Sequence, residues 1–102
     1  MKRPLRWRRI YPGWYEAEAS TRINDRPSKV RVVVRYIPEW PSGMRWAVEI
    51  WHITSFPEYP ERQILAADDG PEATKSEAQA AAISALRAGW RDVPGLGLCL
   101  DS

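Results

Sequence analysis

The chain has 102 residues, of which 44% are hydrophobic and 27% are charged, and its formal net charge at pH 7 is +2. This composition excludes a disordered tail, and the length predicts one folded domain with its own core. No apolar run approaches the roughly 18 residues of a membrane span, and none follows the basic N-terminus as it would in a signal peptide. The single cysteine excludes an intrachain disulfide. We therefore expect a cytoplasmic protein.

Positive charge is concentrated at the start of the chain. Residues 1–35 contain ten Lys and Arg against three acidic residues, whereas residues 36–102 contain five against ten. Either opposite charges meet within the fold and cancel, or the surface has one basic face for an anionic partner. We predict a basic arm at 1–12, a single α+β domain at 13–94 and an apolar tail at 95–102.

Three segments alternate between apolar and polar residues and therefore predict strands. They are residues 14–23, 29–37 and 44–53, and turn-forming residues separate them. Residues 63–67 can add a short edge strand. The alternation predicts that one face of this sheet is apolar and the other is in contact with water.

A capped helix follows the strands. Thr74 can accept from the N–H of Glu77, and the Glu77 carboxylate can accept from the N–H of Thr74, which is a capping box. The apolar spacing predicts that this helix continues to Pro94, with its alanines against the sheet and larger side chains at Ile83, Leu86, Trp90 and Val93. The predicted fold class is α+β: an antiparallel sheet of three to four strands with one C-terminal helix packed on one face (β-β-β-α).

Residues 74–82, followed by Ala85 and Leu86, resemble the final helix of double-stranded-RNA-binding domains. In that family a Ser or Thr precedes two lysines, an acidic residue, an alanine and a third lysine. Only Lys75 matches a phosphate-contacting lysine here, since Ser76 and Gln79 occupy the other two positions, and the chain has no room for the first helix of the family. The resemblance implies a truncated version of that fold, as in antitoxin-like regulators that bind partner proteins.

The sequence contains no catalytic or metal-binding signature. His52 and Cys99 are its only histidine and cysteine, and we expect both to be structural, with a Zn site or a Cys–His nucleophile pair as the weaker alternatives. The acidic residues around the helix start are expected to form a solvated rim; these are Glu58, Glu61, Asp68, Asp69 and Glu72. We therefore predict neither an enzyme nor a cofactor.

Six tryptophans in 102 residues are more than one small core needs. Our first hypothesis is a non-catalytic protein-binding module, a small regulator or inhibitor of the kind encoded by phages and mobile elements. It would act through aromatic side chains on proline-stiffened loops and on the open sheet face. The predicted protein-binding residues are Trp14, Trp40, Trp51, Phe56 and Tyr59, for which half-exposed core packing is the simpler explanation.

The alternative function is nucleic-acid binding by the basic arm and a basic sheet face. Arginine side chains would contact phosphates, and a tryptophan ring could stack on a base. The predicted residues are Arg6, Trp7, Arg8, Arg9, Arg31, Arg35, Arg45 and Lys75, and a solvated arm is the simpler explanation. A homodimer through residues 95–102 or through an uncovered sheet edge is a further prediction.

Overall fold

The computed structural model describes residues 5–53, 62–65 and 70–101. These residues form seven strands and one helix, in the order β1 (Arg8–Tyr11), β2 (Trp14–Ile23), β3 (Arg26–Tyr36), β4 (Trp46–His52), β5 (Arg62–Leu65), α1 (Lys75–Ala88), β6 (Trp90–Val93) and β7 (Gly97–Leu100). Within this described part of the chain, no helix combines the length and the apolar character needed to cross a bilayer.

The strands form one sheet in the order β5-β4-β3-β2-β6-β7, and β1 also pairs with β2. Neighbouring strands are antiparallel except β2 and β6, where Ile23 lies opposite Trp90 in a parallel pair. Strands make up 52% of the structure, and the sheet is nearly closed. The predicted three- to four-stranded sheet with one helix packed on one face is therefore wrong. The strands that it did not include, β1 and β6, come from the segments expected to be an arm and a helix end, and β7 lies in the segment predicted as the apolar tail.

The helix ends at Ala88, well before Pro94. Gly89 follows it with φ 77° and ψ −176°, a conformation that is essentially restricted to glycine, and its N–H donates to the carbonyl of Ala85 at 3.1 Å. The chain leaves the helix in this conformation, so Trp90 enters β6 and is buried. The prediction that Trp90 and Val93 lie on the helix is wrong because the glycine redirects the backbone into a hairpin.

One of the two hydrogen bonds of the predicted capping box is present at the start of the helix. The Thr74 side chain accepts from the N–H of Glu77 at 3.1 Å, as expected of an N-cap. The Glu77 carboxylate accepts instead from the N–H of Ala73 at 3.2 Å. The reciprocal bond thus reaches one residue further back than in the predicted capping box.

The core lies between α1 and the inner face of the sheet. Alternate residues of β3 and β4 point into it, and alanines of α1 let the helix backbone approach them closely. Its buried residues are Val30, Val32, Val34, Val48, Ile50, Ile64, Ala78, Ala82, Ala85 and Trp90. Each fully buried valine or isoleucine contributes roughly 1.5–3 kcal/mol of transfer free energy, so this cluster anchors the helix on the sheet.

The outer face of the sheet also contains buried residues. Val33, Ala47 and Glu49 are 2%, 0% and 8% exposed. Glu49 forms an ion pair with Arg35 and accepts from Gln63 at 3.2 Å, while the Arg35 guanidinium lies 5.2 Å from the centre of the Trp14 ring. The expectation that this face is in contact with water is wrong at these positions, because long side chains from neighbouring strands lie over it.

Candidate functional site

Strand β2 is paired along its whole length on one edge only. β3 lies opposite all of Trp14–Ile23, whereas the second edge is shared by β1, which faces residues 14–16, and by β6, which faces Ile23. Within the described ranges, no strand is registered opposite residues 17–22 on this edge. Alternate backbone N–H and C=O groups of such an edge point outward and can pair with another extended chain.

A groove with a volume of about 1010 Å³ lies beside the open edge, and we call it the β2 groove. Its walls come from β2, from the N-terminal residues that precede and begin β1, and from α1. The open stretch of residues 17–22 is about 20 Å long at the usual rise of a strand. The groove is therefore long enough for an extended segment of about six residues.

One wall of the β2 groove is apolar. Ala17 and Ala19 lie opposite Val32 and Val30 of β3, so they belong to the inner face of the sheet, and Ile83 of α1 lines the groove with them. Leu86 also lines it, and the backbone carbonyl of Leu86 accepts from the Thr21 hydroxyl at 2.6 Å. This part-buried bond joins α1 to β2 beside the groove.

The other wall is polar and carries more positive than negative charge, and Arg87 of α1, four residues after Ile83, adds a cation beside the apolar wall. The charged residues that line the groove are Arg6, Arg8, Arg31, Arg87, Glu16 and Glu18. Glu16 already pairs with Arg31 at 3.7 Å and accepts from the Trp14 indole at 2.7 Å. Four arginines against two glutamates leave a positive potential in a partly enclosed space, where it attracts anionic groups.

The structure does not bring the predicted protein-binding residues to this groove. Trp14 and Trp51 lie half-buried on the outer face, on β2 and β4, and Trp40 lies half-buried in the β3–β4 connection. The carbonyl of Trp40 accepts from Arg45 at 2.8 Å. Phe56 and Tyr59 lie outside the described residues.

The predicted nucleic-acid-binding residues divide into separate groups. Arg6, Arg8 and Arg31 line the β2 groove. Trp7 packs against the core, so its ring is not a free stacking surface, and Arg9 is exposed on β1. The remaining three, Arg35, Arg45 and Lys75, each contact an aromatic side chain at the other end of β2.

We call that region the aromatic end; its rings are those of Tyr11, Trp14, Tyr15, Tyr36 and Trp46. Ring centres lie 5.4 Å apart for Tyr11 and Trp14, and 5.5 Å apart for Tyr36 and Trp46. Lys75 Nζ lies 4.5 Å from the centre of the Tyr15 ring, and Arg45 lies 3.4 Å from the Tyr36 hydroxyl. The Tyr11–Trp14 pair lies on the outer face and the Tyr15, Tyr36 and Trp46 rings lie on the inner face. Tyr11 and Tyr36 are 53% and 40% exposed, so each group offers one ring to a ligand.

The two candidate residues for metal or thiol chemistry lie on different strands. His52 is half-buried at the end of β4, and Cys99 lies on β7, where its thiol is 3.8 Å from the carbonyl of Gly97. In the part of the chain that the structure describes, no group of three or more His, Cys, Asp or Glu side chains is arranged to hold a metal ion.

Sequence reasoning missed the groove and most of the aromatic end. Ile83 was expected to be a large core-facing side chain, and the tyrosines at the strand ends were given no functional role. Leu86 was expected to face the core and does pack against it, although it also lines the groove. The position of Tyr11, Tyr15 and Tyr36 next to predicted turns is the one sequence signal that could have grouped them at one end of the sheet.

Comparisons with known protein families, with curated proteins and with solved structures find no match to this chain. The resemblance of the helix to that of double-stranded-RNA-binding domains therefore stays a prediction.

Proposed function

We propose that this protein is a non-catalytic protein-binding module, a small regulator or inhibitor, that binds an extended segment of a partner protein along the open edge of β2. The observation that supports this function is the combination of a strand edge that no described strand pairs with at residues 17–22 and an adjacent groove with an apolar wall. A bound segment would pair its backbone with β2 and place alternate side chains against Ala17, Ala19 and Ile83.

The expected affinity is modest. Three apolar side chains in the groove contribute roughly 1.5–3 kcal/mol each, and several new backbone hydrogen bonds add roughly 0.5–1.5 kcal/mol each. Ordering the segment and losing its translational freedom cost about 4–15 kcal/mol. The gains and the costs are of similar size, so the net binding free energy is small and corresponds to a Kd in the micromolar to millimolar range for a short peptide.

A panel of three octapeptides tests the function. In each, valine alternates with a second residue, which is Ser, Glu or Lys. In a titration followed by amide NMR, we expect at least one peptide to bind saturably and to shift the resonances of residues 17–22 and 83–87. The peptide that binds should lose affinity when every second residue is N-methylated, provided that these are the residues whose backbone N–H groups face β2.

A matched pair of substitutions on α1 provides the control. Ile83→Gln removes an apolar side chain from the groove wall and should weaken binding at least five-fold, whereas Ser84→Gln changes an exposed neighbour and should leave it unchanged. If none of the three peptides binds below about 1 mM, or if the shifts map elsewhere, the proposed function is wrong.

Nucleic-acid binding is the second candidate, and the aromatic end favours it. Cationic side chains there contact rings, and the exposed Tyr11 and Tyr36 could stack on unpaired bases. Fluorescence anisotropy with a single-stranded oligonucleotide should then detect binding that falls steeply with log[salt] and that is weakened by Tyr36→Leu but not by Ile83→Gln. Absence of binding at 50 mM salt would exclude this candidate.

A further inference from the structure

We infer that the β2 groove selects an acidic segment, in which apolar residues alternate with Asp or Glu over about six positions. This inference rests on the proposed function and specifies the chemistry of the partner. It follows from two features: the side chains of an added strand alternate between the two walls of the groove, and charged side chains line the outer wall.

A strand added to β2 continues the pleat of the sheet, so its side chains alternate between the two faces. Those on the inner face meet Ala17, Ala19 and Ile83 and should be apolar. Those on the outer face meet the wall that carries the charged side chains. The partner segment should therefore alternate in the same way, with apolar residues at every second position.

Cations dominate the outer positions. Because Glu16 is already bound by Arg31 and by the Trp14 indole, it is not available to a basic side chain of the partner. The other charged residues that line the outer wall are Arg6 and Arg8 against Glu18. An acidic side chain is attracted to this set, and a lysine at the same place is repelled, so the groove discriminates against basic segments as well as favouring acidic ones.

The neighbouring strands limit the length of the segment. β1 pairs with the edge up to Glu16 and β6 pairs with it at Ile23, and among the described residues no strand is registered opposite the six positions between them, where Gly89 lies close to the Arg22 carbonyl at one end. Six positions of an added strand give three inner and three outer side chains. The segment can thus present up to three carboxylates to the groove.

The same peptide panel measures this selectivity by anisotropy. Each partly exposed carboxylate–arginine contact should strengthen binding by about two- to five-fold. We expect the Val–Glu octapeptide to bind at least ten-fold more tightly than the Val–Ser octapeptide at 50 mM NaCl, and the Val–Lys octapeptide to bind most weakly. At 500 mM NaCl the ratio of Glu to Ser affinities should fall below about three, because salt screens exposed charges.

Two variants with equal loss of charge per residue locate the effect. Arg8→Gln removes a cation of the outer wall, opposite Glu16 in the β1–β2 register, and should weaken the Val–Glu peptide about three-fold while leaving the Val–Ser peptide unchanged. Arg9→Gln removes an exposed arginine of β1 that does not line the groove, and we expect it to change neither affinity.

The outcomes separate the inference from the function on which it rests. Equal binding of the Glu and Ser peptides, both mapped to the groove, would overturn the acidic selectivity and leave the protein-binding function in place. Equal weakening by Arg9→Gln and Arg8→Gln would also overturn it, because the effect would then come from net charge. Failure of all three peptides to bind would overturn both.

Discussion

Replacement of Gly89 by alanine should destabilise the protein more than replacement of any exposed loop glycine. Gly89 joins α1 to β6 in a backbone region that other residues avoid, which costs about 1–3 kcal/mol for a non-glycine residue. A Cβ atom there would also lie 2.9 Å from the carbonyl oxygen of Arg22, which is backbone of β2 and cannot move without disturbing the sheet. We expect Gly89→Ala to lower the free energy of unfolding by about 3–4 kcal/mol.

Gly43→Ala is the matched control. Gly43 also has a positive φ of 82°, but nothing lies within 4 Å of its hypothetical Cβ, so only the backbone cost of about 1–2 kcal/mol remains. Both substitutions reduce the entropy of the unfolded chain to the same extent, and this contribution cancels in their difference.

Urea denaturation followed by tryptophan fluorescence measures both variants. With an m-value of about 1.5 kcal/mol/M, a loss of 3 kcal/mol lowers the midpoint by about 2 M. We expect Gly89→Ala to cost about 2 kcal/mol more than Gly43→Ala. A difference below about 0.5 kcal/mol would show that the contact with Arg22 does not constrain the junction, and the account of why the helix ends there would be wrong.

Three further substitutions test the packing around the groove and the sheet. Thr21→Val removes the hydroxyl that bonds to Leu86 and should cost about 1–2 kcal/mol, with recovery in Thr21→Ser, both by urea denaturation. Thr74→Ala should cost about 1 kcal/mol through loss of the N-cap, while Thr74→Ser keeps most of it, as measured by thermal unfolding. Val33→Ala on the outer face should cost about as much as Val32→Ala on the inner face, roughly 2 kcal/mol by urea denaturation, and a cost below about 0.5 kcal/mol would indicate that the outer face is open to water.

The local pattern of the chain predicted several elements well. Apolar–polar alternation predicted a strand from Trp14 to Ile23, and the structure has β2 over the same residues. The sequence also predicted the N-cap at Thr74 correctly. This was possible because the Thr74 hydroxyl accepts from a backbone N–H only three residues later, so the bond needs no distant partner.

Prediction failed where two distant segments had to be placed side by side. Trp90 and Val93 continue a helical spacing along the chain, so periodicity alone extends the helix through them. In the folded protein Gly89 turns the backbone, and Trp90 gains a partner in Ile23 and a place in the core. That gain depends on residues far away in the sequence, and no local pattern contains it.

The candidate site depends on the same kind of information. The sequence by itself determined which residues can lie on one face of a strand and where α1 begins, since both follow from neighbours a few positions apart. The tertiary structure alone decided that, of the strands in the described ranges, β1 and β6 pair with the two ends of one edge of β2, and that α1 lies beside the stretch between them. Whether a strand edge is covered depends on chain segments far apart in sequence, and their placement follows from packing and loop closure rather than from local preference.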